Sequence, residues 1–308
     1  MTETNPVSFV SGFVSILGRP NVGKSTLLNA LVGTKVAIVA DKPQTTRTAV
    51  QGVLTLPQGQ IVFLDTPGIH KARSSFNRRM MDSVREALSE RDLLIYVAAA
   101  NEPFTKAEAD ALSLVKKAGA PVFLVLNKID MVKDKSALLP LLDQYRAAYD
   151  FADYHPISAK RSQGLDVLRS AILSRLPEGP AYFPADHVTD QPERFLATEL
   201  IREKIILETR EEVPHSVAVL VDVWEENPGI TRIFASVYVE KDGQKGILIG
   251  AKGSMLKEIG TRAREEMERL FGKKIYLELH VKVRSDWRES KAFLGALDWR
   301  TMAGRDDS

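Results

Sequence analysis

The stretch from Gly12 to Thr26 constrains this chain more than any other. Gly12 to Leu17 is a short, mostly apolar run that reads as a buried strand, and Leu27 to Val32 reads as a helix. Between them lies Gly18-Arg19-Pro20-Asn21-Val22-Gly23-Lys24-Ser25-Thr26, which contains G-x-x-x-x-G-K-S. Strand, glycine loop and helix in this order predict a phosphate-binding loop. The glycines let the backbone bend so that successive N–H groups face one anion, and the helix N-terminus adds its positive end. Lys24 is placed to reach β- and γ-phosphates, and the Ser25 hydroxyl to hold Mg²⁺.

At 308 residues the chain is long enough for two domains, each with a core of its own. The absence of cysteine excludes disulfides, thiolate zinc sites and cysteine nucleophiles, and suits a reducing cytosol. The N-terminus lacks a basic segment followed by an apolar one, so no signal peptide is expected. Leu93 to Ala100, the longest apolar run, is less than half a membrane span. A formal net charge of +2 says nothing about nucleic acid, so the local distribution has to decide.

After the first helix, Lys35 to Asp41 is rich in β-branched residues, and the polar run from Lys42 to Thr48 reads as an exposed loop. Val50 to Leu56 and Gln60 to Leu64 read as strands, the second running straight into Asp65-Thr66-Pro67-Gly68. A carboxylate at a strand end beside a phosphate loop can hold the metal's water shell, and the glycine after it can offer an N–H to a γ-phosphate. Phe76 to Ser89 carries a helical apolar stripe, whose methionine pair is expected in the core. Leu93 to Val97 and Val122 to Leu126 are continuous apolar runs with a helix, Thr105 to Ala118, between them. This alternation predicts a mostly parallel sheet with helices on both faces.

The second of those strands ends in Asn127-Lys128-Ile129-Asp130. Guanine presents N1–H and N2–H₂ side by side, and one carboxylate accepts both. Adenine has no such donor pair and would leave Asp130 desolvated and unpaired. Sites built on such bonds discriminate by roughly 10⁴–10⁵. Ser158-Ala159-Lys160 follows another short strand near His155 to Ile157 and can supply backbone contacts to the base.

In these motifs, residues 10 to about 176 resemble the GTPase domain of the TrmE–Era–Der class, and Gln44-Thr45-Thr46-Arg47 matches its Era branch. The resemblance implies GTP/GDP and Mg²⁺ as cofactors, with the metal held by Ser25, Thr46 and Asp65; Thr45 stays open as the alternative to Thr46. It implies a catalytic set of Asn21, Lys24, Ser25, Thr46 and Gly68. Relatives with asparagine at position 21 of the loop bind K⁺ there, which makes K⁺ a further expectation. Ras-type GTPases carry a water-orienting glutamine after D-x-x-G, whereas this chain has Ile69, which cannot hydrogen-bond through its side chain. Slow intrinsic hydrolysis is the consequence.

Prolines 177, 180, 184 and 192 mark 177–192 as an interdomain linker. Glu193 to Glu212 reads as a helix, and Val217 to Trp224 and Ile230 to Glu240 as a hairpin joined by Glu-Glu-Asn-Pro-Gly. Gly250-Ala251-Lys252-Gly253 is a G-x-x-G loop opening a helix from Ser254 to about Leu270, with Lys257 one turn in. Such a loop lets a nucleic-acid backbone come close, as where KH domains clamp about four single-stranded nucleotides. From Lys245 to Lys291 there are 12 Lys/Arg against 7 Asp/Glu, the basic footprint hidden by the whole-chain charge. With a strand at Ile275 to Val283 and a last helix around Glu289 to Leu297, residues 193–300 resemble a smaller α+β domain of the KH type II kind. Phe293 and Trp299 read as packing residues.

The resemblance then implies a GTP-driven switch that binds small-subunit (16S) ribosomal RNA near its 3′ end during assembly of the 30S subunit, as a cytoplasmic monomer. Two rival readings come from other classes. One is an adaptor that docks protein according to its nucleotide state; the other is a regulatory GTPase lying peripherally on the inner face of the cell membrane, since a basic surface also meets anionic lipid.

Overall fold

The computed structural model describes residues 8–42, 45–69, 75–89, 91–116, 118–210 and 213–297. It divides into two compact units, the first drawn from 1–36, 46–71 and 80–190 and the second from 37–45, 72–79 and 191–308.

In the first unit β1 (Val10–Gly18) lies at the centre of a six-stranded sheet, with β3 (Gly59–Asp65) on one side and β4 (Leu93–Ala99) on the other. β5 (Val122–Asn127) and β6 (Asp153–Pro156) continue the parallel run, and β2 (Val50–Leu56) is the antiparallel edge beyond β3. Every residue of β4 and β5 is buried, as the continuous apolar runs require for strands covered on both faces. The helices are α1 (Lys24–Val32), α2 (Ser75–Glu86), of which only the part from Met80 on groups with this unit, α3 (Lys106–Val115), α4 (Leu138–Ala148) and α5 (Leu165–Leu173). α1 stops at Gly33, whose left-handed backbone turns its N–H back onto the Asn29 carbonyl. Met80 and Met81 of α2 are buried, as the stripe predicted.

Strand register sets where the chemistry goes. Ile16 lies opposite Asp65, and Ala99 opposite Asn127, so the loops after β1, β3 and β5 open at the same carboxyl edge. Leaving β1, the chain turns to β2 and β3 on one side, and only later fills β4 on the other. That is the switch point where open α/β sheets bind ligands.

The proline-rich stretch, expected as a linker, packs on the first unit as far as Asp190. Prolines lack donors but keep their carbonyls, and β1 uses them: Ser11 donates its N–H to Pro177 O at 3.0 Å and its hydroxyl to Pro180 O at 2.7 Å, while Val53 N–H donates to Val188 O at 2.8 Å. Gln60, fully buried, accepts from the Tyr182 and Phe183 N–H groups and donates to Phe183 O.

The second unit opens with α6 (Glu193–Glu208) and the short α7 (Val213–Ser216). β7 (Ala218–Asn227) and β8 (Ile230–Val239) form a hairpin, and β9 (Ile275–Val283) adds in parallel to β8. The turn is tighter than expected: Glu225, Glu226 and Asn227 pair in the sheet, leaving Pro228-Gly229, with Gly229 at φ 82°. Proline followed by a left-handed glycine suits a two-residue turn. α8 (Asp242–Ile249) was not expected, because Gly243 and Gly246 argue against a helix. Gln244 offsets them by accepting the N–H groups of Glu240 and Lys241, which secures the helix start. α9 (Ser254–Phe271) and α10 (Lys291–Ala296) complete the unit. Trp287 is fully buried, donates to Ser216 O at 2.9 Å and meets Phe76 and Phe293 edge-on; Trp299 lies outside the described residues.

Residues 37–45, most of the β-branched stretch and the start of the polar run read as an exposed loop, belong to this second unit. Ile38 joins a core with Ala197, Ile201 and Ile205 of α6. Val39 N–H donates to the Glu203 carboxylate at 2.8 Å, and the Arg202 guanidinium donates to the Thr45 carbonyl. Two consecutive buried charges on α6 thus hold the backbone of this segment. Among the described residues no helix is long and apolar enough to cross a membrane.

Candidate active site

The glycine loop between β1 and α1 is held open by left-handed backbone. Gly23 sits at φ 94°, and a Cβ there would stand 2.4 Å from Asn127 Nδ2. Asn21 is also left-handed, at φ 64°, and exposed. Lys24 begins α1 and is buried, with its ammonium donating to the Arg19 carbonyl at 3.0 Å. Burial lowers its pKa to about 8, against the pull of the Asp65 carboxylate.

Beside the lysine lies a cluster of oxygens. Ser25 Oγ is 2.6 Å from Asp65 Oδ2 and 2.8 Å from Thr46 Oγ1, and Thr46 Oγ1 is 3.4 Å from the same carboxylate oxygen. Asp65 is fully buried and, among the described residues, its Oδ1 has no hydrogen-bond partner. Burial raises its pKa to about 6, opposed by Lys24 and by the hydrogen bonds from Ser25, Thr46 and the Thr66 N–H. An orphaned carboxylate oxygen beside two hydroxyls is the all-oxygen set that suits a hard divalent cation such as Mg²⁺. Ser25, Thr46 and Asp65 are the residues that would hold it. Thr45 is turned elsewhere, its hydroxyl donating to Lys42 O at 2.6 Å.

The base end is braced before any base arrives. Asn127 spends both amide atoms on protein, donating to Val22 O at 3.0 Å and accepting from Ala159 N–H at 3.0 Å. Lys128, left-handed at φ 65°, donates to Asn21 O at 2.5 Å. Ile129 N–H bonds to Ile157 O at 3.2 Å. Asp130 accepts from Ser158 Oγ at 2.6 Å, and that bond, with Arg161 and Lys160 nearby, holds its carboxyl below the usual range. Arg161 Nε lies 3.7 Å from the other oxygen. Asp130 is thus an ionised acceptor aimed by its neighbours, which is what a donor pair on a purine edge needs.

Several residues expected at the nucleotide serve it indirectly. The Thr66 hydroxyl donates to Ile16 O, within the sheet. Ile69 sends its N–H to Gly18 O and its side chain into the core with Leu17 and Leu94, so it has nothing to offer a water molecule. Gly68 packs so close to Pro20 that a Cβ would stand 2.6 Å from its nitrogen, which joins the loop after β3 to the loop after β1. Val22 and Pro67 are buried and Thr26 is half-buried. Arg161 was not expected; its only sequence signal is a charge following Ser-Ala-Lys.

In the second unit the G-x-x-G loop is left-handed at three of its four positions: Gly250 at φ 69°, Lys252 at φ 51° and Gly253 at φ 80°. Ala251, Lys252 and Lys257 are exposed. A Cβ at Gly250 would meet Met255 Cβ at 2.7 Å, while one at Gly253 meets open space.

Residues 13–128 match the family described as 50S ribosome-binding GTPase, and residues 212–288 match the KH domain. GTPase Era of Geobacter metallireducens is 49% identical over 293 residues, covering 94% of this chain and 98% of the relative. Its counterpart from Heliobacterium modesticaldum is 51% identical over 280 residues, covering 91% and 93%. The chain belongs to the Era family of GTPases. Two solved Era structures, each 41% identical, cover 94% of this chain and 99% of their own: an Aquifex aeolicus variant bound to GDP and AlF₄⁻ (TM-score 0.91), and Era with MgGDPNP and nucleotides 1506–1542 of 16S ribosomal RNA (TM-score 0.92).

The two shifted groups predict a pH profile for this Era-family GTPase. To hold a metal Asp65 would have to be ionised, and to meet phosphate Lys24 would have to be charged. kcat/KM for GTP, which reports the free enzyme, is expected to rise through about pH 6 and fall above about pH 8. A profile flat across both limbs contradicts these assignments.

Proposed function

We propose that this chain is a Mg²⁺-dependent GTP hydrolase whose nucleotide state governs binding of small-subunit ribosomal RNA near its 3′ end, during assembly of that subunit. The observation that carries the reading is the coexistence, in one chain, of a guanine-type site in the first unit and a G-x-x-G loop in the second. Support for the RNA comes from the Era relative bound to MgGDPNP and a 16S fragment. We take residues 10–176 as the nucleotide part, 193–300 as the RNA part and 177–192 as the join, working as a cytoplasmic monomer.

The chemistry asked of the protein is placement. The loop from Gly18 to Thr26 surrounds the phosphates, and Lys24 gives up its bond to Arg19 O to meet them. Ser25, Thr46 and Asp65 would hold Mg²⁺, and the ion would offset charge developing on the phosphate oxygens. Gly68 lies at the γ-phosphate, and Asp130 accepts from the guanine edge. With Ile69 in the core, no side chain there orients water, so intrinsic hydrolysis is slow. We extend the proposal to K⁺ beside Asn21: hydrolysis should run faster in KCl than in NaCl, and equal rates would remove the ion from the account.

The coupling of nucleotide to RNA has support in chain order. Thr45 is gripped by Arg202 in the second unit, while Thr46, the next residue, has its hydroxyl in the oxygen cluster of the first. Ordering Thr46 on a metal therefore bears directly on a segment that α6 holds.

The RNA half of the reading is tested at Gly253. Aspartate tolerates left-handed backbone and its Cβ meets open space there, so Gly253→Asp should fold while placing a negative charge in the loop. Anisotropy with a single-stranded RNA of the 16S 3′ end should show affinity falling at least about tenfold, some 1.4 kcal/mol. The parent's affinity should weaken with salt. Equal affinity in parent and variant, with the melting temperature retained, would falsify the assignment of this loop. Binding to anionic vesicles and not to RNA would favour the membrane reading instead.

A further inference from the structure

Glu108, in the first turn of α3, is a buried carboxylate, 3% exposed, that no step above employs. Tyr96 of β4 donates its hydroxyl to Oε1 at 2.6 Å, and the Tyr145 phenol of α4 lies near enough to feel the same carboxylate. Burial, with the adjoining carboxylate, holds both phenols above their ordinary range, so both stay neutral donors. The cation is Arg19, whose Nη1 is 3.3 Å from Oε2 and 3.9 Å from Glu102. Among the described residues, Arg19 is the ion-pair partner that Glu108 has.

Arg19 is the second residue of the phosphate loop, and its carbonyl receives the Lys24 ammonium. One residue is thus gripped at both ends, by Lys24 on its backbone and by Glu108 on its side chain. Its neighbour Pro20 has no N–H to secure it, and Asn21 is held left-handed. A side-chain tether at Arg19 adds to the bonds that the Gly18, Arg19 and Asn21 carbonyls accept at the start of the loop. Stability alone does not account for the arrangement, since buried ion pairs are often no better than apolar residues of the same volume.

We propose that Glu108 is a positioning residue for GTP. Oriented by Tyr96, it holds the phosphate loop in its nucleotide-ready shape through Arg19. The proposal rests on the GTP site described above. Because the loop meets the phosphates in ground and transition states alike, loosening it removes uniform binding, which raises KM and leaves kcat in place.

The test is steady-state GTP hydrolysis with GDP affinity in parallel, on the full chain. Glu108→Gln keeps an acceptor for Tyr96 and removes the charge facing Arg19; Arg19→Gln removes the other half. Each should raise KM for GTP and Kd for GDP about tenfold with kcat within about twofold. The double variant should be no worse than either single, because the two act as a unit. Arg19→Lys should recover most of the loss, since one nitrogen makes the contact. A lowered kcat at unchanged KM in Glu108→Gln, or losses that add in the double variant, would mean a folding role and overturn the proposal. Should Glu108→Gln fail to fold, Arg19→Gln decides, because its side chain is partly exposed: unchanged KM there overturns it as well. The parent in the same assay separates the two ideas. A parent that does not bind GTP sinks the site, while a parent that binds with variants unchanged sinks only the positioning role.

Discussion

An ammonium and a carboxylate are buried side by side at the mouth of the central strands, and much of the first unit follows from having to keep them there. Lys24 and Asp65 each lose hydration, and each shifts toward its neutral form as a result. Burying charge is costly unless partners repay it, and the partners here are incomplete: among the described residues one oxygen of Asp65 has none. A triphosphate and a divalent cation would supply the missing charges of both signs. The parallel register of β1 and β3 brings the two residues to one edge, and the close packing of Gly68 on Pro20 keeps the loops that carry them together.

The guanine end follows a different logic. Asn127, Lys128 and Ser158 are largely spent on tying the loops to one another, and Asp130 alone of that motif keeps acceptor capacity for a base. Specificity then depends on how firmly one carboxylate is aimed. Glu108 and Arg19 extend the same principle to the phosphate end, where a buried acid far along the chain acts on the loop through one side chain.

Much of this was legible in the sequence because the loops are contiguous. A glycine run between a strand and a helix, or a carboxylate at a strand end, carries its chemistry in neighbouring letters. What was illegible depends on residues distant in the chain. Thr45 and Thr46 differ only in which way each faces, and that is set by what lies around them. Glu108 takes its partners from β4, α4 and the phosphate loop, and its spacing in α3 says nothing of them. α8 was hidden by two glycines whose cost is offset by Gln244. The segment 37–45 read as a β-branched stretch running into a polar loop, and nothing in that pattern says that Ile38 is a core residue of the other unit or that two buried α6 charges hold its backbone.

That last feature bears on the central claim, that nucleotide and RNA are linked through one chain. Where two ligands are coupled, the effect is reciprocal, typically about 1–3 kcal/mol or roughly 5- to 150-fold in affinity. The direct measurement is a pair of titrations on one preparation: single-stranded 16S 3′-end RNA against the protein loaded with GDP or with a non-hydrolysable GTP analogue, and the analogue against the protein with and without RNA. The account predicts tighter RNA binding in the GTP-like state and an equal factor in the reverse titration. Identical RNA affinity in the two nucleotide states would contradict it.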